Sequence, residues 1–228
     1  MENAEKIIRL LNDEKSIFSN IEWNLGALIG MASVVLSPKL VNISNAPLRI
    51  SADGLDVDGF QCLGVALLEK DRKPRADELL GMAKRALMCE SLEMAADFLA
   101  RAVRIAENGK DPYEDDDYFS VDIRELWNPK KGRAGSLIDP SDRVFLEKCA
   151  APLRNIIRHN NGRLSPKKEI IYSGTLRDKK IEINYKWKEG KDNSLKMPLN
   201  IAHDIFYLIW ALADDGLQKA LKISKKNV

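Results

Sequence analysis

One stretch of the chain gathers side chains able to do proton transfer and phosphate chemistry together: Arg154-Asn155-Ile156-Ile157-Arg158-His159, followed by Asn160-Asn161-Gly162. The sequence holds 2 histidines, His159 and His203, so any imidazole chemistry must use one of them. An imidazole, with an intrinsic pKa of about 6.5, takes or gives a proton near neutrality. A guanidinium keeps its charge and pairs bidentately with phosphate oxygens. On a helix advancing about 100° per residue with Arg154 at zero, Arg158 falls at roughly 40°, Asn155 at roughly 100° and His159 at roughly 140°. Ile156 and Ile157 then fall on the opposite side, facing a core. One surface thus presents an imidazole, an amide and two guanidiniums. These are the parts needed for metal-free cleavage of RNA: a base takes the proton of a ribose 2′-hydroxyl, that oxygen attacks the adjacent phosphorus, and a fixed cation stabilises the charge on the phosphoryl oxygens. The bland alternative is a helix end at which His159 caps carbonyls and the arginines are solvated.

The elements around this segment must position it. Asp139-Pro140 is a helix start, with Asp139 as N-cap and Pro140 at the first helical position. Phe145, Leu146, Cys149, Leu153, Ile156 and Ile157 point inward from that helix, Pro152 is predicted to kink or split it, and Asn160-Asn161-Gly162 stops it. After Gly162 the apolar period changes to two, which predicts a β-hairpin at about residues 168–188. Pro198 opens a last helix with Ile201, Ile205, Leu208, Ile209 and Leu212 on one face. His203 shares another face with Asn200, Tyr207 and Trp210, a pattern that fits packing on two sides, one of them a subunit contact. Between Arg163 and Lys196 the sequence carries ten basic side chains against five acidic ones. With Tyr172, Tyr185 and Trp187 interleaved, the hairpin either holds RNA by charge and stacking or is an edge protected by lysines.

The first half reads as helical. Ile7, Leu10, Leu11, Phe18, Ile21, Leu25, Leu28, Ile29 and Ala32 recur at helical spacing up to a break at Ser37-Pro38, with Gly26 and Gly30 marking a close helix contact. Ser51-Ala52-Asp53-Gly54 is turn chemistry. A helix is predicted from about Asp58 to Glu69 and a long one from about Arg75 to Ala106, closed by Asn108-Gly109 as a left-handed cap. The Asp111–Asp117 acidic cluster lacks the spacing of a calcium loop and reads as solvated. The glycines of Asn128–Gly135 miss the phosphate-loop spacing. Ser136 and Ser165 have no nucleophile-elbow glycines, so a serine hydrolase has no support.

Composition narrows the classes. At 228 residues, the chain can bury a core without metal or disulfide staples, and 36 basic against 34 acidic residues exclude a globally basic nucleic-acid coat. Any nucleic-acid contact must be local. Cys62, Cys89 and Cys149 are odd in number and unpaired in spacing, which predicts reduced thiols, no zinc site and a cytoplasmic setting. No apolar run is long enough to span a bilayer, and the mixed-charge start does not read as a signal peptide.

With Arg154, Asn155 and His159 in hand, the segment resembles the HEPN (higher eukaryotes and prokaryotes nucleotide-binding) superfamily. There, an arginine and a histidine are separated by four to six residues, commonly with Asn, Asp or His directly after the arginine. The resemblance covers roughly Asp139 to Asp215; the first half matches only in being helical. It implies a helical bundle, often dimeric, and in many members a metal-independent endoribonuclease of toxin–antitoxin, abortive-infection or other phage-defence systems. It further implies that Arg154 and His159 are catalytic, that Asn155 orients them, and that two copies of the motif face each other across a dimer.

The resulting expectation is a mainly α chain, a helical bundle with a small β-hairpin inserted before the last helix. Residues 1–50 form an N-terminal helical extension or part of the bundle, and residues 51–228 form the bundle itself. The expected function is metal-independent endoribonuclease, with Arg154, Asn155 and His159 catalytic and Arg158 and Asn160 touching substrate. RNA is the expected partner, beside a second copy of the chain and possible regulation by an antitoxin or other protein. No cofactor, metal or membrane is implied. Two rivals stay open: a non-catalytic HEPN-like module binding a nucleotide, RNA or protein, and a structural helical adaptor.

Overall fold

The computed structural model describes residues 2–36, 86–113, 121–128, 132–159 and 162–226, together with Asp77, Leu80, Gly81 and Lys84. The expected turn at 51–54, the helix at 58–69, Cys62 and Asn160 lie outside the described residues. The chain divides into two compact units, Met1–Ile21 with Lys84–Val228, and Glu22–Ala83. The second contributes the distal part of the first helix, where Trp23 is 79% exposed. Among the described residues nothing lies within 4 Å of a Cβ built at Gly26.

The described protein is mainly α-helical with one small antiparallel hairpin before the last helix. Helix α1 spans Glu2–Leu36. A π-helical turn, Ala86–Glu90, leads into α2, Ser91–Asn108, which ends as the sequence predicts: Gly109 is left-handed at φ 71° and its N–H donates to the Ile105 carbonyl over 3.0 Å. Two 3-10 turns, Ile123–Leu126 and Ala134–Leu137, precede α3, Pro140–Phe145. A second π turn, Leu146–Ala150, joins α3 to α4, Ala151–His159. Strands β1, Glu169–Leu176, and β2, Lys179–Lys186, form the hairpin, and α5 is Leu199–Lys226. Among the described residues no helix is long and apolar enough to cross a membrane.

The core lies between α2 and α5. The two helices pack together, and Leu92, Ala95, Phe98, Leu99 and Ala102 of α2 and Ala202, Ile205, Ile209, Ala213 and Leu217 of α5 are all buried. The axes come close because Gly216 lacks a side chain: a Cβ there would sit 2.5 Å from Leu99 Cδ2. The N-terminal part of α1 covers the aromatic face of α5, with Phe18 stacked on Trp210 at 5.7 Å and tilted against Phe206. The face that the sequence marks as a subunit contact is therefore covered at Trp210 by the chain itself, and His203 stacks edge-on with Tyr207 at 4.6 Å.

Pro152 does not split the helix that carries the candidate site. The buried positions Phe145, Cys149, Leu153 and Ile157 recur every fourth residue, slightly longer than the α-helical period of about 3.6. The π turn just before Pro152 adds a residue to one turn and keeps that stripe on one side. Asp139 has the extended N-cap backbone and its carbonyl accepts the Arg143 N–H, but its carboxylate makes no cap and instead takes the Lys219 ammonium at 2.6 Å. Burial pushes the Cys149 thiol up to about 12, so this cysteine is core rather than chemistry.

The hairpin closes on a two-residue turn, Arg177-Asp178, with both residues at positive φ, 48° and 64°, a backbone that Asn-Gly adopts more cheaply. The Arg177 guanidinium offsets this by pairing with Asp142 at 3.1 Å and Asp215 at 2.7 Å. Ile170, Ile181 and Ile183 are buried, and Tyr172 meets the Phe145 ring edge-on at 5.7 Å. Tyr172 thus packs against the helical core while remaining half-buried. Asp111, from the acidic cluster, is clamped by Arg101 over 3.0 and 2.7 Å and accepts the Tyr113 N–H.

Two buried features give stability predictions. Glu14 is fully buried, neither oxygen has a hydrogen bond of good geometry, and its carboxyl is pushed from 4.5 up to about 7 by burial, then by the Asp214 carboxylate, against opposition from Lys15 and the Trp210 indole. Between those values the folded chain holds a proton the unfolded chain has lost, so Glu14 costs little at pH 5, its penalty grows as pH rises toward 7, and it levels off above that. Glu14→Gln should raise stability at pH 8 by roughly 2 kcal/mol and change it little at pH 5, read by urea denaturation at both values. A Cβ at Gly135 would lie 2.8 Å from the Glu125 carbonyl oxygen and 2.9 Å from that of Leu126. Because backbone must move, Gly135→Ala should cost about 1–3 kcal/mol, and an unchanged melting temperature would refute this close approach.

Candidate functional site

The site is built on the last turns of α4. Leu153, Ile156 and Ile157 fix that helix in the core, and Gly162, left-handed at φ 75°, closes its end by donating its N–H to the Ile156 carbonyl over 3.0 Å. The isoleucines inward and Asn155, Arg158 and His159 outward follow the helical wheel. Arg154 does not: it is only 9% exposed, so it underlies the surface instead of standing on it.

What permits a buried guanidinium is Glu93, on the first turn of α2. Its Oε1 accepts Arg154 Nη2 over 2.5 Å and also pairs closely with Arg158 Nη1. One carboxylate is shared by two guanidiniums, which leaves the cluster with one net positive charge. The Ala86–Glu90 π turn lies beside α4 as well, with Cys89 Sγ 4.0 Å from the Arg154 carbonyl. Sequence reasoning missed Glu93, which stands 61 residues before Arg154 and has no local pattern to distinguish it from other charges on an amphipathic helix.

Arg154 in turn organises its neighbours. Its Nη1 donates to Asn155 Oδ1 over 3.1 Å and lies 3.4 Å from His159 Nε2. A guanidinium can only donate, so a hydrogen bond across this separation would be accepted by the Nε2 lone pair. The arrangement places a fixed cation directly against the imidazole. Arg154 Nε is buried and has no hydrogen-bond partner among the described residues. The imidazole is exposed, and the Arg158 side chain keeps 46% of its surface, so these two, with Asn155, are what an incoming molecule meets.

The structure thus brings Arg154, Asn155, Arg158 and His159 together within one cluster. His203 belongs to a separate aromatic group on α5. Among the described residues no group of three or more His, Cys, Asp or Glu side chains is placed to hold a metal ion.

No family model matches the chain, and no curated protein or solved structure matches it at a significant level.

Removing the carboxylate should expose how far the cluster depends on it. Glu93→Ala leaves a largely buried guanidinium without a counter-charge, and because Glu93 itself is partly exposed the cost should be about 1–2 kcal/mol, below that of a fully buried pair. Chemical denaturation measures this directly. A variant as stable as the parent would show that water already satisfies Arg154.

Proposed function

We propose that this chain is a HEPN-type endoribonuclease that cleaves RNA by 2′-hydroxyl attack and acts as a homodimer. The observation that carries the reading is the exposed His159 imidazole whose Nε2 lies 3.4 Å from the buried Arg154 guanidinium. In this reading Arg154 Nη1 moves from Nε2 onto a non-bridging phosphoryl oxygen when RNA binds, the freed Nε2 takes the proton of the ribose 2′-hydroxyl, and the oxygen attacks phosphorus. The bond to the 5′-oxygen breaks, and the His159 of a second copy protonates the leaving oxygen. Arg158 and Arg154 Nη1 supply positive charge to the non-bridging oxygens, and Asn155 orients Nη1. Glu93 positions both guanidiniums without touching substrate. The products are a 2′,3′-cyclic phosphate and a 5′-hydroxyl. A toxin or phage-defence setting, with a protein that restrains the activity, fits a nuclease of this class.

A second reading has one observation in its favour. Both arginines share Glu93, so much of their charge is already satisfied within the chain, as in a module that binds RNA or a protein without cutting.

Cleavage assays separate the two. The purified chain should cut single-stranded RNA in excess EDTA and leave cyclic phosphate ends. His159→Ala should slow this by about 100-fold or more, the usual scale of a lost acid–base group, with little change in melting temperature because the side chain is exposed. Undiminished cleavage by the variant would place the chemistry elsewhere, and no cleavage by the parent would leave the binding module.

A further inference from the structure

We propose that a lysine-lined cleft at the base of the hairpin, formed by Lys186, Lys188, Lys191 and Lys196 around Tyr185 and Asn193, binds the phosphate backbone of single-stranded RNA. This rests on the reading of the chain as an RNA-acting protein and adds where the strand lies beyond the site of chemistry.

The cleft has a volume of about 440 Å³. All four lysines are exposed, and one carboxylate, that of Asp192, lines it with them. Asp192 is occupied within its own loop, where its oxygens accept the Ser194 N–H at 3.0 Å and hydroxyl at 2.8 Å. Lys196 also reaches Asp192, at 3.3 Å, and Lys186 reaches Glu169 at 3.6 Å; both are loose exposed pairs that a phosphate can displace.

The loop that carries the lysines is fixed. Asn193 Oδ1 accepts the Lys188 N–H over 2.7 Å, and its Nδ2 donates to the carbonyls of Lys188 and Lys191, each at 2.9 Å. Gly190 takes the left-handed turn at φ 67°. One asparagine therefore clasps both ends of the turn and holds Lys188 and Lys191 on one rim. Tyr185, half-buried in the cleft wall, offers a ring on which a base can stack.

The same loop is bonded to the chain that leaves the catalytic helix. The Leu195 N–H donates to the Gly162 carbonyl over 2.6 Å, Arg163 bridges Ser194, and the Leu164 N–H donates to the Asn193 carbonyl over 2.9 Å. The cleft loop is thus tied to Gly162, Arg163 and Leu164, three to five residues after His159, so a strand held in the cleft lies near that end of the helix. A continuous duplex has no free bases for the Tyr185 ring, whereas a single strand fits both the ring and the lysines.

The test uses the full chain and a fluorescent oligouridylate of about 12 nucleotides with 2′-O-methyl sugars, which lacks the attacking hydroxyl and so reports binding apart from cleavage. Replacing Lys188, Lys191 and Lys196 by Gln should weaken binding by about tenfold or more and flatten the salt dependence of log K by about two, as expected for three lost phosphate contacts on a single strand. The same replacement at the exposed Lys222, Lys225 and Lys226 of α5 should change neither. Unchanged affinity and slope in the cleft variant, equal loss in the α5 variant, tighter binding of a duplex of the same length, or no binding by the parent would each overturn the proposal. Binding without cleavage of unmodified RNA would keep the cleft and remove the nuclease reading.

Discussion

A guanidinium with nine-tenths of its surface removed from water needs a counter-charge, and Arg154 finds it in Glu93 of another helix. Breaking such a pair leaves an uncompensated charge in a poorly solvated place, so α2 and α4 are not free to slide past one another. Everything the candidate site presents follows from that restraint. Arg154 Nη1 faces Asn155 and His159 because Nη2 is taken by Glu93.

The rest of the fold supplies rigidity around this point. The close approach of α5 to α2 at Gly216 seats the helix that carries Glu93. The π turn before Pro152 keeps a four-residue stripe inward, so that α4 reaches His159 with its polar side in register. Arg177 anchors the hairpin turn to Asp142 of α3 and Asp215 of α5, which fixes a small two-stranded element that would be marginal alone. From the hairpin the chain returns through the Asn193-clasped loop to the residues just after His159.

Much of the fold was legible because it depends on local pattern. The period change after Gly162, the Gly109 cap and the start of the last helix are each signalled by a few neighbouring residues, and each is found. Asp139 shows the limit: its backbone caps as its residue type suggests, yet a lysine 80 residues away captures its carboxylate. Trp210 shows another, since no pattern within α5 says that Phe18 of α1 will cover it. At the site, the sequence placed Asn155, Arg158 and His159 on one exposed face. It put Arg154 on that face too, because a helical wheel knows the direction of a side chain but not what stands opposite it.

The sequence by itself determined the helical class, the hairpin before the last helix and the polar face that ends in His159, since hydrophobic period, proline and glycine act over a few residues. Only the tertiary structure decided that Arg154 is buried, that Glu93 compensates it, and that the lysines after the hairpin gather in a cleft against Leu164, shortly after the His159 helix. Those facts depend on charges far apart in the chain, and the energy of a charge is set by the groups and the water that packing leaves around it.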